Sequence, residues 1–298
     1  FYLLLILFWI DTHSNIIFLP INILFSTFSE NYWTGWPFNL IAGDYYLSSE
    51  VPKNYLLVNF LFKSPEYILI CYVFFTFLIF NKFFKEKIIF FYYKILFIIS
   101  ILLFPILILF FIPYPIYDGI RLFLWVLPYT IIIPGLVIYF LIENYKKKIS
   151  KIMLISLLPF VVYFIFQFFS ITPYQYTYLN SLNGKSENRY KKFENDYWGA
   201  SIKELIGNIK FNKNKNLSIS FCGVSPDIVE HYLINAGFYN YNFEPMDKAE
   251  YIILANRVVT KSDLNNKKLT NCFDKHPGEN IFYVKRNNLI LSTIRKNK

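Results

Sequence analysis

The chain has 298 residues, of which 55% are hydrophobic, and a formal net charge of +10. Apolar residues are concentrated in five segments within residues 1–170, whereas residues 171–298 are polar and mixed. This division excludes a fully soluble protein and predicts a polytopic α-helical membrane domain (1–170) followed by a small α/β soluble domain (171–298).

The five apolar segments differ in length. They are residues 1–10, 64–80, 88–112, 120–142 and 152–170. The last four have about 17 to 25 residues each, enough to cross a hydrocarbon core of ~30 Å at 1.5 Å per residue as four membrane helices. The first is too short to cross. Because Phe1 is also not an initiator methionine, we expect the chain to open within a partial first helix, as the C-terminal part of a longer protein.

Lysines indicate the side on which each loop lies, since short cytoplasmic loops collect Lys and Arg. Residues 81–87 contain three lysines and residues 143–151 contain four, whereas residues 113–119 contain no cation. Both Lys-rich loops are therefore predicted inside. By alternation, the loop 11–63 and the tail from residue 171 lie outside, in the periplasm of a multi-pass inner-membrane protein. This placement argues against nucleic acid as a partner.

A polar motif lies between the apolar segments 88–112 and 120–142. Asp118 is predicted to cap the helix that begins at Gly119 or Ile120, and Arg121 follows on the same side. An Arg held at the membrane surface by a carboxylate suits recognition of a phosphate at head-group depth. The alternative is a plain N-cap followed by an Arg that only extends its charge to the interface.

The tail has the pattern of a small α/β domain. Its predicted elements are a helix over 201–209, a strand over 217–222, a helix from Pro226 to about Asn235 with Ser225 as N-cap and Gly237 as its end, a strand over 251–255, and a hairpin of 281–285 with 289–293. The tail carries 19 basic and 12 acidic side chains, a net charge of +7. This excess suits either a face near anionic lipid or an anionic lipid-linked substrate, or simply a solvated surface.

The three cysteines and three histidines give no metal-ligand spacing, so no metal site is predicted. Cys71 lies in a membrane helix and is expected to be a small apolar filler. Cys222 and Cys272 both lie in the outward domain, where a disulfide is chemically permitted. Because each also neighbours apolar strand residues, two buried free cysteines are the alternative.

Three stretches occur in a characteristic order. Residues 36–65 contain a Gly-x-Tyr turn, a Val-Pro pair and a Ser-Pro helix start. Residues 117–128 read YDGIRLFLWVLP, and residues 172–201 contain a Pro-x-Gln-x-x-Tyr-x-Asn segment and an Asp-Tyr-Trp-Gly motif. Together they resemble bacterial membrane glycosyltransferases of the GT-C superfamily, those similar to dolichyl-phosphate-mannose protein mannosyltransferases.

The resemblance implies transfer of a sugar from a polyprenyl-phosphate donor, at the outer face of the inner membrane, to an acceptor whose identity stays open. It implies no cofactor apart from this donor. Asp118 and Arg121 match the family motif and, with Tyr117, are the candidates for the lipid-phosphate end of the site. The catalytic acid of the family is expected upstream of Phe1. Leu122 stands where relatives often carry His, so the role of that His does not transfer.

Four further residues are candidate contacts of the acceptor or the sugar: Asp44, Lys53, Asp196 and Trp198. Aromatic faces and carboxylates are the usual carbohydrate contacts, which favours Asp196 and Trp198. The alternative is structural, with Trp198 anchoring the soluble domain at the membrane interface.

Two other functions stay open. A membrane-anchored envelope protein would use the tail only for binding or assembly. A transporter would be supported by an inverted repeat and by charges at the membrane midplane. Lys94 is the only ionisable residue well inside an apolar segment, and no repeat is visible, which disfavours transport.

Overall fold

The computed structural model describes residues 35–86, 88–111, 115–196, 198–263 and 266–297, together with residues 13, 15, 17–19 and 21–22. The partial first helix predicted at residues 1–10 lies outside the described residues. The described chain consists of a helical region followed by a C-terminal region with a five-stranded sheet. This confirms the predicted order of apolar helices followed by an α/β part.

A short β-hairpin, which the sequence did not predict, precedes the helices. Its strands are β1 (Phe38–Ile41) and β2 (Asp44–Leu47), paired antiparallel. The helical region then contains α1 (Tyr55–Lys63), α2 (Glu66–Leu78), α3 (Lys82–Glu86), α4 (Phe91–Phe111), α5 (Leu127–Thr130), α6 (Ile132–Glu143) and α7 (Lys148–Ser170). A 3-10 helix, Arg121–Val126, leads directly into α5.

Among the described residues, three helical stretches are long and apolar enough to cross a membrane: α4, the stretch Arg121–Glu143, and α7. The segment 64–80 forms one helix, α2, but its 13 residues are too few to cross by themselves. α2 is bent by 112° from α1, and the two would make the predicted fourth span only as a broken pair. Pro65 causes the break, because proline disfavours helical backbone at the preceding residue, and Ser64 is extended there.

The helical region buries its apolar side chains only in part. Cys71 on α2 and Val137 and Leu141 on α6 are fully buried where these helices pack, so Cys71 is an apolar filler as predicted. Large apolar side chains such as Phe97 and Phe166 are exposed on the outer surface. An exposed apolar surface of this extent indicates contact with lipid or with another protein.

The C-terminal sheet has the strand order β4-β3-β5-β9-β8. These strands are β3 (Leu217–Cys222), β4 (Tyr241–Phe243), β5 (Tyr251–Ala255), β8 (Asn280–Arg286) and β9 (Leu289–Lys296). β3 pairs in parallel with β4 and β5, and the pairs β5–β9 and β8–β9 are antiparallel. The helices α8 (Ile202–Gly207) and α9 (Pro226–Asn235) contribute Ile202, Leu205, Val229 and Leu233 to the core of this region.

Local predictions for the tail are largely confirmed. β3, α9 and β5 have the predicted bounds, Ser225 is at the N-cap position of α9, and the terminal hairpin forms over slightly longer strands. The sequence did not predict β4, or the hairpin of β6 (Val258–Asp263) and β7 (Asn266–Asn271) that precedes α10 (Cys272–Lys275). Of the two alternatives for the cysteines, the structure has the Cys222–Cys272 disulfide.

The segment 172–200 covers the bend between α1 and α2. Asn180 donates to the carbonyl groups of Leu61 (2.6 Å) and Ser64 (2.8 Å), and Asn183 donates to that of Phe62 (2.9 Å). These amides satisfy carbonyl groups at the end of α1 that have no partner within the helix. The bend is thereby held against the first part of the C-terminal region.

Gly223, which follows β3, provides a test of how tightly this region is packed. Its φ is +77°, and an added Cβ would lie 2.6 Å from Cβ of Arg257 and 3.1 Å from Sγ of Cys272. We expect Gly223→Ala to lower the free energy of unfolding by about 1 to 3 kcal/mol, through backbone strain and overpacking. Thermal unfolding of the purified protein measures this.

Gly207→Ala is the matched control, since Gly207 ends α8 and an added Cβ there meets nothing within 4 Å. It should leave the melting temperature nearly unchanged. Equal melting temperatures for both variants would contradict the close approach at Gly223.

Candidate functional site

Asp118 lies at the centre of a charged cluster between the helical region and the C-terminal region. It adopts left-handed backbone (φ +57°) before Gly119, and its side chain is buried. One carboxylate oxygen accepts from Nη1 of Arg257 at 2.8 Å, and the other accepts from Nη1 of Arg121 at 3.2 Å. One carboxylate therefore fixes two guanidinium groups.

The prediction that Asp118 caps the following helix is wrong. The N-cap position of the 3-10 helix Arg121–Val126 is Ile120, and no side chain caps it. The physical reason is competition. A charge-assisted bond to a guanidinium is stronger than a bond to a neutral backbone N–H group, and both oxygens of Asp118 are held by arginines.

Arg257 comes from the C-terminal region, where it follows β5. It is buried, and its guanidinium lies 4.4 Å from the centroid of the Trp36 ring. Sequence reasoning missed this residue, which lies 139 positions from Asp118. The only local signal was the polar pair Asn256-Arg257 between two apolar runs, and this pattern is also typical of a loop.

Arg121 is the accessible cation of the cluster, with 41% of its side chain exposed. Its guanidinium lies 4.8 Å from the ring centroid of Trp198 and 5.8 Å from that of Tyr117. These two aromatic rings restrict the guanidinium without covering it. The structure thus brings together four of the predicted site residues: Tyr117, Asp118, Arg121 and Trp198.

An open cleft of about 370 Å³ is lined by these four residues and by Gly35, Trp36 and Arg257; we call it the outer cleft. Among the described lining residues, two are cationic and Asp118 is the only carboxylate. The lining thus has two guanidinium groups and one carboxylate, so the surface of the outer cleft has an excess of positive charge. It is therefore suited to an anion.

Three predicted site residues do not line the outer cleft. Asp196 is fully buried, and it accepts 3.0 Å bonds from the N–H groups of Ala200 and Ser201 and further bonds from the hydroxyls of Tyr176 and Ser201. Four donors occupy its carboxylate, which corrects the expectation that it faces a sugar and gives it a structural role at the start of α8.

Asp44 and Lys53 lie elsewhere on the surface of the same end. Asp44 is exposed at the start of β2, next to the β1–β2 turn. The ammonium of Lys53 lies 3.8 Å from the centroid of the Phe110 ring, near the end of α4. Their role as acceptor contacts stays a prediction.

A small polar cavity lies on the other side of Asp118, lined also by Asn59, Lys63 and Glu194. Glu194 is buried; its Oε1 accepts from the N–H group of Val258 at 2.8 Å and lies 3.8 Å from Nε of Arg257. Burial raises the pKa of Glu194 to about 7, against the opposing effects of Arg257 and the Val258 N–H group. Arg257 is therefore held from two sides, by Asp118 and by Glu194.

A large apolar groove lies within the helical region. It has a volume of about 500 Å³ and lies between α1, α2, α4 and the stretch that begins at Ile120. Its lining includes Phe60, Val73, Leu103, Ile120 and Phe123. Arg121 belongs to the same short stretch as Ile120 and Phe123, so one segment of the chain contributes both to the groove and to the outer cleft.

Comparison with known proteins gave no match to a family model, to a curated protein or to a solved structure. Within the described ranges, no group of three or more His, Cys, Asp or Glu side chains could hold a metal ion. The geometry of the outer cleft and the groove therefore carries the functional argument.

The pKa of Glu194 gives a test of the buried charges. Because the folded pKa lies above the ordinary value of 4.5, the folded protein binds this proton more tightly than the unfolded chain. This contribution to stability is full below about pH 4.5 and is lost as the pH rises through about 7. Glu194→Gln keeps an acceptor for the Val258 N–H group but cannot ionise.

Between pH 5 and pH 8 the free energy of unfolding of the wild type should therefore fall by roughly 2 to 3 kcal/mol more than that of Glu194→Gln. Denaturant unfolding at the two pH values measures the difference. Glu187→Gln, at an exposed glutamate of the same segment, should behave like the wild type. Parallel pH dependences for wild type and Glu194→Gln would contradict the assignment.

Proposed function

We propose that this chain forms part of a membrane glycosyltransferase that takes a sugar from a polyprenyl-phosphate donor and transfers it to an acceptor hydroxyl at the outer face of the membrane. The observation that carries the proposal is the position of Arg121. Its exposed guanidinium lies in a positively charged cleft, and Ile120 and Phe123 of the same short stretch line an apolar groove in a region of long apolar helices. This pairing fits an amphipathic anion with a long apolar tail.

The phosphate of the donor would bind at Arg121. A guanidinium has five N–H donors in a planar fork, and one nitrogen of Arg121 donates to Asp118. The remaining donors can bind a phosphate in bidentate geometry, which is the arrangement that Arg favours. Arg257 would add a second positive charge on the other side of Asp118. The groove would receive the first part of the polyprenyl chain.

The reaction needs charge stabilisation at the phosphate. The acceptor oxygen attacks the anomeric carbon, the bond between that carbon and the phosphate oxygen breaks, and polyprenyl phosphate leaves with the electron pair. Negative charge on the leaving phosphate would be stabilised by Arg121 and Arg257, which are already oriented by Asp118. The hydroxyl proton must pass to a base, and Asp118 is a poor candidate because both of its oxygens already accept from arginines.

The side of the membrane is also part of the proposal. The Lys-rich residues 81–86 and 143–151 lie at the opposite end of the helices from Asp118, which supports an outer location of the outer cleft. The Cys222–Cys272 disulfide supports the same side, since disulfides persist in oxidising compartments. The reason to propose sugar transfer as the reaction is the resemblance of residues 36–65, 117–128 and 172–201 to GT-C glycosyltransferases.

A membrane-anchored binding protein is the second candidate, and one observation favours it. Among the described residues that line the outer cleft, the single carboxylate is paired with two arginines. Such a cleft can hold a lipid phosphate without catalysing transfer. Turnover of a polyprenyl-phosphate sugar separates the two candidates, since the binding protein would retain the lipid and release no product.

Arg121→Lys tests the phosphate contact. Lysine keeps the charge but loses the bidentate fork, so kcat/KM for the donor should fall roughly 10- to 150-fold, which corresponds to a lost charge-assisted bond of about 1.5 to 3 kcal/mol. Arg121→Ala should lose more. The measurement is steady-state transfer from a polyprenyl-phosphate sugar or, for a binding protein, its affinity for polyprenyl phosphate.

Arg286→Lys is the control for this series, since Arg286 pairs with Glu204 away from the outer cleft. It should retain donor kinetics. Unchanged donor use in a well-folded Arg121→Lys variant would support the alternative in which Arg121 only extends its charge to the membrane surface.

Val73→Trp tests the groove. Val73 lines it with 54% of its surface exposed, so an indole there would fill space that the donor tail needs. We expect the KM for a long-chain donor to rise at least about tenfold, with a smaller effect on a donor with a short tail. Val162→Trp, at a 57% exposed position of α7 outside the groove, should behave as wild type. Equal kinetics of the two variants would show that the tail does not use the groove.

A further inference from the structure

A second cavity lies at the end of the helical region opposite Asp118. It has a volume of about 270 Å³ and is formed where α2 ends, α6 ends and α7 begins. Its lining is Leu78, Asn81, Phe140, Lys147, Lys148, Ile149, Ser150 and Met153; we call it the basic cavity. Neither the outer cleft nor the apolar groove shares this lining.

The charge around the basic cavity is strongly positive. The described residues 81–86 and 143–151 together contain six lysines against two glutamates, Glu86 and Glu143. Glu86 lies 3.7 Å from the ammonium of Lys82. Lys147 lies over the ring of Phe83 at 4.5 Å. Because Lys147 and Lys148 line the cavity without a carboxylate in its lining, the cavity attracts anions.

The start of α7 adds hydrogen-bond donors to this charge. α7 has 23 residues, its N-cap Lys147 makes no side-chain cap, and its first turn contains no acidic residue. The first N–H groups of such a helix have no partner within the helix, and its dipole favours a negative charge there.

Ser150 provides an independent observation. It is only 6% exposed and lines the basic cavity. Within the part of the chain that the structure describes, its hydroxyl makes no hydrogen bond. A hydroxyl that opens into a cavity is free to donate a hydrogen bond to a ligand there. At the positively charged end of this cavity, the ligand that suits it is an anionic acceptor.

We propose that the basic cavity binds the phosphodiester headgroup of an anionic phospholipid. Lys147, Lys148, the Ser150 hydroxyl and the first N–H groups of α7 bind the phosphate. Leu78, Phe140 and Met153 form an apolar wall beside them, which suits an acyl chain and distinguishes a lipid from a free phosphate ion. Basic pockets between membrane helices bind such headgroups in other membrane proteins. This proposal is independent of the proposed sugar transfer.

The test uses the purified full chain in nanodiscs of phosphatidylcholine with increasing phosphatidylglycerol. Phosphatidylglycerol should raise the melting temperature of the wild type and should remain bound to it in native mass spectrometry. Lys147→Gln and Lys148→Gln should each weaken this binding about fivefold, in line with the attraction of one lysine to an anionic lipid surface. Ser150→Ala should also weaken phosphatidylglycerol binding relative to the wild type, although it does not change the charge.

Lys82→Gln is the matched control, because Lys82 is 86% exposed, pairs with Glu86 and does not line the cavity. It should leave phosphatidylglycerol binding within about twofold of the wild type. Equal loss in Lys82→Gln and Lys148→Gln would show diffuse surface attraction and overturn the proposal. Displacement of the lipid by inorganic phosphate at equal concentration would overturn it as well, since the cavity would then select a free ion.

Discussion

The ion pair between Asp118 and Arg257 joins the two regions of this protein, and the geometry of the outer cleft depends on it. Both side chains are buried, so neither charge can be left without its partner. Breaking a buried pair by removal of one partner typically costs about 3 to 5 kcal/mol, because the remaining charge stays out of water. Asp118 also holds Arg121, and Trp36 covers Arg257. The exposed guanidinium of Arg121 is thus oriented by Asp118, which is itself fixed by its ion pair with Arg257 of the C-terminal region.

Close packing around Arg257 explains several features of the neighbouring chain. Gly223 leaves room for the arginine stem, and the disulfide next to it ties the end of β3 to the start of α10. Glu194 lies 3.8 Å from Nε of the same guanidinium whose Nη1 donates to Asp118. These contacts come from separate parts of the sequence. They hold the guanidinium of Arg257 in one position before any ligand binds. A flexible side chain at the same place would lose conformational entropy on binding an anion.

The sequence predicted well what depends on neighbouring residues. β3, α9 and β5 each have a local apolar pattern with capping or breaking residues at their ends, and all three have the predicted bounds. The pairing of Asp118 with Arg121 was expected from their spacing of three positions. The start of α2 after Pro65 agrees with the predicted Ser-Pro helix start, but α1 was not predicted, because residues 11–63 were interpreted as a loop.

Contacts between distant residues could not be predicted in this way. Arg257 carries no signal of its own in the sequence, because its partner Asp118 is chosen by the fold. Asp196 was placed near a sugar because of its motif, yet its four donors come from neighbours that only the folded loop brings together. β1 and β2 have few residues and pair around a left-handed turn at Ala42 and Gly43, which leaves little periodic pattern.

The bend between α1 and α2 has a consequence for the surrounding bilayer. α2 has 13 residues and is therefore about 20 Å long, roughly 10 Å less than a typical hydrocarbon core. If the bent pair crosses the membrane, lipid beside α2 must thin to avoid hydrophobic mismatch. α2 also forms one wall of the apolar groove to which Ile120 and Phe123, the neighbours of Arg121, contribute. A thinned bilayer at this place would shorten the distance that a lipid headgroup must travel between the membrane surface and the guanidinium.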